Sequence, residues 1–549
     1  MLIFFKKNII WLVFVFAGLI RFLGIEFVPP ALNWDEVSHG YNAYSILKTG
    51  KDEWGNFMPA IFRAYGDYKL PVYIYLTAIS EFLFGINPFA VRLPSILAGI
   101  TTVIFSYFLT KKLFKEKNIA VFSAFLVAVE PWSLFVSRVA LEANVALAFI
   151  VSGVYFFLSG LEKKNYRLFL GFFLLGLSVW TYNAARIFTP FLLIALALVY
   201  KKELTSKKTV SISLFIVSVI LISPMLIQLA STAGMARYKN LQIIDEAAIG
   251  RIVELRESSN LPFTVERILF NRASFFVVEF TRNYLAHFSL DFLYLRGGDN
   301  YQFNIPNTGI LHIVGLPFLI IGFLIIAGKY KTQKSARLII IWLLIAPIAS
   351  SLTKDSPHTL RSLVFLPIPM ILTSLGLNYS LRKIKNYSFF CILFFLLIFV
   401  SFVFYYNLYI SNYRIKYSWV WQYGYKDVVE FARENYHKYE KILVTKKYGE
   451  PHEFFLFYWP WDPKSYQNAK KNRYFQSNWY WVDNFDKFYF FNDWDVPKTG
   501  SSFVLESGYS IECGSCLLIT SANNAPQNWK KLKTVNFLDG KAAFDIYEH

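Results

Sequence analysis

Charge is scarce in this chain, and cysteine, methionine and histidine scarcer still. Only 17% of its 549 residues are Asp, Glu, Lys or Arg, and it holds 3 Cys, 5 Met and 7 His. Few charges, clustered between long apolar runs, exclude an ordinary soluble domain. No Gly-x4-Gly-Lys-Ser/Thr loop and no Gly-x-Gly-x-x-Gly fingerprint is present, which argues against a nucleotide-driven pump. The His residues lie scattered without ligand spacing, so the sequence points to no metal centre and no cofactor, although a divalent metal is not excluded. No internal repeat or low-complexity linker stands out. No small-residue cleavage site follows Ile20-Arg21-Phe22, so the first apolar run reads as a retained signal anchor.

What is abundant is hydrophobic side chain: 55% of the residues, 19% aromatic, with a mean hydropathy of +0.37. That composition belongs to a helical membrane protein. The formal net charge of +19 would suit a nucleic-acid partner. The Lys and Arg sit instead in short bursts between apolar segments, as in cytoplasmic loops, which excludes nucleic acid.

Runs of roughly 17 to 25 apolar residues predict spans near 8–24, 89–110, 119–135, 143–161, 167–181, 184–200, 209–229, 308–327, 337–351, 362–379 and 388–410. The fold class is thus an α-helical polytopic membrane protein of about eleven transmembrane helices. The bursts Lys6-Lys7, Lys111–Lys117, Lys163-Lys164, Lys201–Lys208, Lys329–Arg337 and Arg382–Lys385 all fall on one side of it. That side is cytoplasmic, with the N-terminus, and the C-terminus lies outside. Leu70–Phe84 is apolar but short and interrupted by Glu81. Counting it as a span would put Lys111–Lys117 outside, so it reads as an interfacial helix.

Residues 1–410 therefore form a membrane domain with two large outer loops, 25–88 and 230–305. The first loop carries interfacial helices near 36–48 and 71–84. Residues 411–549 are polar and rich in Trp and Tyr. They predict a small extracytoplasmic α/β domain, with a helix near Lys426–Tyr439 and strands at Ile442–Val444 and Leu517–Ile519. Asp539-Gly540 between two alternating runs reads as a hairpin turn.

The residues suited to chemistry gather at the predicted outer edge. Asp35 and Glu36 follow the first span directly. Asp35 there suits a helix cap, and equally a general base for an acceptor hydroxyl. Lys69 is in the same loop; a Lys at the membrane edge snorkels, and its ammonium also holds phosphate. Arg138 and Glu142, at i and i+4, predict one helical face and a simple salt bridge, or a functional pair near the bilayer. Arg186 follows another outer turn, Thr181–Ala185. His358 and Arg361, at i and i+3, suit an anionic head group or a helix-end anchor.

Trp34-Asp35-Glu36, then Tyr68-Lys69-Leu70-Pro71, then Leu83-Phe84-Gly85 with Val91-Arg92-Leu93-Pro94, resemble as an ordered set the GT-C glycosyltransferases. The group in question holds the protein O-mannosyltransferases and the lipid A aminoarabinose transferases. Ser137-Arg138…Leu141-Glu142 and His358…Arg361 also look like that group. The resemblance covers about 10–200 well, 270–410 loosely and the tail hardly at all.

It implies an inverting, metal-independent transfer of a sugar from a polyprenyl-phosphate donor on the outer face of a bacterial-type plasma membrane. Asp35 matches the family's first-loop acid, Lys69 the basic residue near the donor phosphate, and Glu142 a second acid that is often Asp. Catalysis would then fall to Asp35, Glu36 and Glu142, and donor phosphate binding to Lys69, Arg138, Arg186, His358 and Arg361. The acceptor is a protein, lipid or glycan, and membrane lipid is a further partner. Tyr68 stands where the lipid A transferases carry an acid, so a metal site of their kind does not transfer. The alternatives are a lipid-linked glycan flippase, which would spread its charges through the depth of the spans, and an inactive scaffold.

Cys391 falls in the last predicted span, where it packs. Cys513-Gly-Ser-Cys516 lies in the tail, and an oxidising compartment favours a short-loop disulfide there. Denatured, non-reduced protein is therefore expected to leave both thiols unalkylated, by mass spectrometry; ready labelling of both would contradict the disulfide.

Overall fold

A computed structural model describes residues 2–66, 68–162, 165–206, 219, 223–226, 241–476 and 479–549. It divides into two compact units: 1–23 with 95–137 and 141–405, and 24–94 with 138–140 and 406–549. The division does not follow the linear boundary expected at 410. The segment after the first helix clusters instead with the tail.

Five helices among the described residues are long and apolar enough to cross a membrane: Pro88–Phe114, Glu142–Glu162, Lys334–Ser351, Leu363–Leu381 and Tyr387–Lys416. Shorter apolar helices cover Asn8–Phe22, Lys117–Val129, Asn165–Val179, Ala185–Val199 and Ile313–Ala327. These ten fall on ten of the expected spans. The eleventh, 209–229, and the start of the second loop lie largely outside the described residues. The segment expected to lie along the membrane is the 14-residue helix Pro71–Phe84. Tyr387–Lys416 keeps large apolar side chains such as Phe389, Ile392, Leu396 and Phe404 exposed, as a lipid-facing helix does.

The helical unit packs through small residues. Helices Leu316–Ala327 and Ile368–Leu381 meet where Gly322 faces Gly376. A Cβ on Gly322 would fall 1.9 Å from the Leu372 carbonyl oxygen, and one on Gly376 2.0 Å from that of Phe318. Backbones approach this closely in membranes only through residues without side chains. The span expected at 119–135 is broken: Lys117–Val129 ends at Glu130, and Pro131 opens a new helix to Val136. Proline lacks the N–H to continue the first helix and holds its predecessor extended. The Glu130 carboxylate accepts the His312 backbone N–H at 2.7 Å.

In the second unit the helices Trp34–Thr49 and Pro71–Phe84 pack through Ala43, Ile46, Phe62, Ile74 and Ala78. A two-residue strand, Tyr68–Lys69, pairs antiparallel with Phe62–Arg63 just before the second helix. The tail forms a seven-stranded sheet of β1 (Lys441–Thr445), β2 (Asn472–Gln476), β3 (Trp479–Phe485), β4 (Phe488–Phe491), β5 (Cys516–Thr520), β6 (Lys530–Asn536) and β7 (Ala542–Glu548). Their order is β6-β7-β5-β1-β4-β3-β2. Central β1 runs parallel to β4 and β5 and is buried from Ile442 onward, as parallel strands are. The other pairs are antiparallel.

The expected tail elements are all present. The helix spans Tyr425–Glu434, and Gly540 turns the β6–β7 hairpin at φ +85°. Cys513 and Cys516 form a disulfide. Strands β2 to β4 were not anticipated.

Replacing Gly376 by Val should cost about 1–3 kcal/mol through overpacking. Thermal unfolding in detergent checks this; an unchanged midpoint would mean the helices do not meet there.

Candidate active site

The helix that presents Asp35 begins with a capping box. The Asn33 side chain accepts the Glu36 N–H at 2.9 Å, and the Asn33 N–H donates to Glu36 Oε2 at 3.1 Å. The cap is therefore Asn33 and not Asp35, which leaves the Asp35 carboxylate out of helix capping. Because Asn accepts N-terminal N–H groups as well as Asp does, the first-turn acid is available for other work.

Glu36 is buried and held from three directions. Arg92 donates to it twice, Nε to Oε1 at 2.9 Å and Nη2 to Oε2 at 3.0 Å, and the Ala140 backbone N–H donates to Oε1 at 2.9 Å. The remaining Arg92 donors reach the carbonyls of Ile25, Pro29 and Ala31 at 2.9, 3.0 and 2.5 Å. One buried bidentate pair thus ties together the segment after the first helix, the start of the next and the 138–140 turn. A guanidinium with all its partners in place can sit in low dielectric, where either member alone could not.

Arg138, fully buried, donates to the Val28 carbonyl at 3.0 Å and lies 5.7 Å from the Tyr409 ring centre. The expectation that Arg138 and Glu142 share one helical face is corrected here. One helix ends at Val136 and the next begins at Glu142, so residues 137–141 are not helical.

Asp35 meets Lys69 at 2.6 Å, with 42% of the Asp35 side chain exposed against 12% of that of Lys69. Two local features set this distance: the box that starts the Asp35 helix, and the strand pair that fixes Lys69 opposite buried Phe62. An ion pair open to solvent on one side is worth about 1 kcal/mol or less to folding. Its consequence is chemical: an accessible, oriented carboxylate with an ammonium beside it.

The other predicted residues belong to the helical unit. Glu142 is half-buried at the start of Glu142–Glu162, and Arg186 is buried near the start of Ala185–Val199, donating to the Val179 carbonyl at 3.4 Å. His358 and Arg361 line a polar cavity of about 620 Å³ with Tyr182, Asn300, Lys354 and Asp355; Arg186 does not line it. His358 Nδ1 accepts the backbone N–H groups of Leu360 and Arg361 at 3.2 and 3.3 Å, so a neutral ring carries its proton on Nε2. Arg361 donates to Thr353 Oγ1 at 2.8 Å and pairs with Asp355 at 3.5 Å. Lys354 and Arg361 supply positive charge to the cavity, and Asp299 and Asp355 on the same lining offset it.

In the sequence Arg92 stands only as part of the Val91-Arg92-Leu93-Pro94 motif. An arginine early in an apolar span is the signal that could have marked it, since such a charge needs a buried partner.

A helical membrane unit with a β-rich tail is the GT-C fold, and this integral membrane protein has that fold. Residues 69–227 match the family described as dolichyl-phosphate-mannose-protein mannosyltransferase. ArnT from Cupriavidus metallidurans in the apo state is similar over 99% of this chain and 98% of its own, at 11% identity and a TM-score of 0.55. ArnT bound to undecaprenyl phosphate matches over 100% and 97%, at 11% identity and 0.52. The Archaeoglobus fulgidus oligosaccharyltransferase, tethered with an acceptor peptide, matches 83% of this chain at 16% identity and 0.50; this chain spans 63% of that protein's length. Comparison with curated protein sequences finds no match.

Replacing Arg92 with Leu strands the Glu36 carboxylate and should cost about 3–5 kcal/mol. The double variant Glu36→Leu/Arg92→Leu should recover part of the loss. A double-mutant cycle on thermal unfolding reads both; additive losses would contradict the coupling.

Proposed function

We propose that the protein is an inverting glycosyltransferase that moves a sugar from a polyprenyl-phosphate carrier to an acceptor on the outer face of the membrane, with Asp35 as general base. The observation that carries this reading is the Asp35–Lys69 pair, a half-exposed carboxylate 2.6 Å from an ammonium.

The chemistry asks for little more. The leaving group is a phosphate already stable as an anion, so no general acid is needed. The reaction requires a base at the acceptor hydroxyl and positive charge at the departing phosphate. The Lys69 ammonium has three donors, enough to hold the Asp35 carboxylate and a donor phosphate oxygen together. Deprotonation of the hydroxyl and departure of the phosphate then occur on opposite faces of one anomeric carbon. Glu36 acts on this step through position, by fixing the helix that carries Asp35. Arg138 adds positive charge in the same unit, Arg186 and Glu142 are proposed as a further cation and a second acid on the helical unit, and no metal is required for transfer.

His358 and Arg361, in the helical unit, are proposed as anion-binding residues on a cavity that Asp299 and Asp355 also line. The undecaprenyl phosphate bound by the Cupriavidus ArnT supports a carrier of that chemical class. The acceptor peptide on the archaeal oligosaccharyltransferase supports a protein as one acceptor beside a lipid or glycan. The basic loops support a cytoplasmic N-terminus and an extracytoplasmic tail in a plasma membrane. The flippase alternative is the weaker reading because the candidate charges sit at helix starts and in loops, such as Asp35 in the first turn of its helix.

Membranes carrying the wild-type protein, given radiolabelled polyprenyl-phosphate sugars and an envelope extract, should label an acceptor. Asp35→Asn should lower the rate by about 10²–10⁴-fold while polyprenyl-phosphate binding persists. Transfer surviving in Asp35→Asn, or absent from both proteins across several donor sugars, would contradict the proposal.

A further inference from the structure

Glu53, His452 and Glu453 lie together although most of the chain separates them. Each offers one ligand atom, all three atoms lie within 4.8 Å of one another, and all three residues are at most 1% exposed. They share no residue with the Asp35–Lys69 pair. Local structure places each of them firmly. Glu53 sits in a turn held by Asp52, whose carboxylate accepts the N–H groups of Trp54 and Asn56. Asn42 donates to Glu53 Oε1 at 3.0 Å and accepts the Glu53 N–H at 3.2 Å. His452 and Glu453 open the helix Pro451–Tyr458. The Tyr65 hydroxyl bridges the two sides, 2.8 Å from Glu53 Oε2 and 2.5 Å from His452 Nε2.

Glu453 has both carboxylate oxygens buried, with the Tyr65 hydroxyl and the Glu53 carboxylate as its polar neighbours and neither oxygen in well-formed hydrogen-bond geometry. One oxygen of Glu450, whose carboxylate is 3.6 Å from His452 Nδ1, is in the same condition. Three buried carboxylates therefore stand around one imidazole. Against them stand two cations, Arg473, 4.1 Å from the Trp54 ring centre, and Lys471, 3.9 Å from the Tyr466 ring centre. The nearby Lys446 is already committed to Asp483 at 2.7 Å. Buried charge of one sign is resolved by protons or by a cation.

We infer that Glu53, His452 and Glu453 bind a divalent transition-metal cation that fastens the 24–94 segment to the tail. Two carboxylates and one imidazole are a donor set for borderline divalent ions such as Zn2+ or Mn2+. Three ligand atoms about 2.0–2.2 Å from such an ion lie roughly 3.3–3.8 Å from one another, so separations of up to 4.8 Å close by as much as about 1–1.5 Å on binding.

The test uses the full chain in detergent, equilibrated with Zn2+ or Mn2+ and freed of excess ion. Bound metal is measured by mass spectrometry, and thermal unfolding is followed with and without EDTA. The expected result is about one tightly held ion per chain, at least tenfold weaker binding in Glu453→Gln, and a midpoint several degrees lower on chelation in the wild type only. Because the wild-type measurement needs no variant to fold, it decides alone. No retained metal and a chelator-insensitive midpoint would overturn the inference and leave the carboxylates sharing protons. Equal metal content in Glu453→Gln and in His452→Gln would overturn it as well.

Discussion

The buried pair between Glu36 and Arg92 is the constraint on which the arrangement around Asp35 depends. Both carboxylate oxygens of Glu36 are occupied by Arg92, and they also take the N–H groups of Asn33 and Ala140. Arg92 in turn closes the carbonyls of Ile25, Pro29 and Ala31. The pair is costly to desolvate and therefore intolerant of partial loss. What it secures is the position of one helix start, and the adjacent residue on that start is Asp35. Two neighbouring acids thus divide the labour. The buried one is spent on geometry, and the half-exposed one is left with a lysine.

The same division between structure and chemistry explains why little of the machinery is held by the aqueous surface alone. Arg138 and Tyr409 are buried beside this turn, and their contacts fix backbone that would otherwise be an unsupported loop. In the helical unit the equivalent economy is steric. Gly322 and Gly376 let two helices meet at backbone distance, which compensates for the absence of a hydrophobic driving force between helices in lipid.

How much of this was legible in the sequence depended on the range of the interaction. The spans were readable because each is a continuous apolar run closed by a basic burst, and ten of them fall on apolar helices. Asp35 and Lys69 were readable as an ordered motif, though not as an ion pair. Their contact is set by a capping box and a two-residue strand pair too short to announce themselves. Arg138 and Glu142 misled, because i,i+4 spacing means one face only where the chain stays helical, and it does not between Ser137 and Leu141. Strands β2 to β4 escaped because their aromatic residues follow no clean alternation with polar ones. The Glu53–His452–Glu453 cluster was invisible, since ligand spacing is searched locally and these residues come from the two ends of the chain.

The account's central claim is a single displacement in which one carboxylate deprotonates the acceptor while the carrier phosphate leaves. The anomeric configuration of the transferred sugar, determined by NMR of the isolated product against that of the donor, tests this most directly. Opposite configurations are predicted. The same configuration in donor and product would rule out a single inverting displacement and contradict the role given to Asp35.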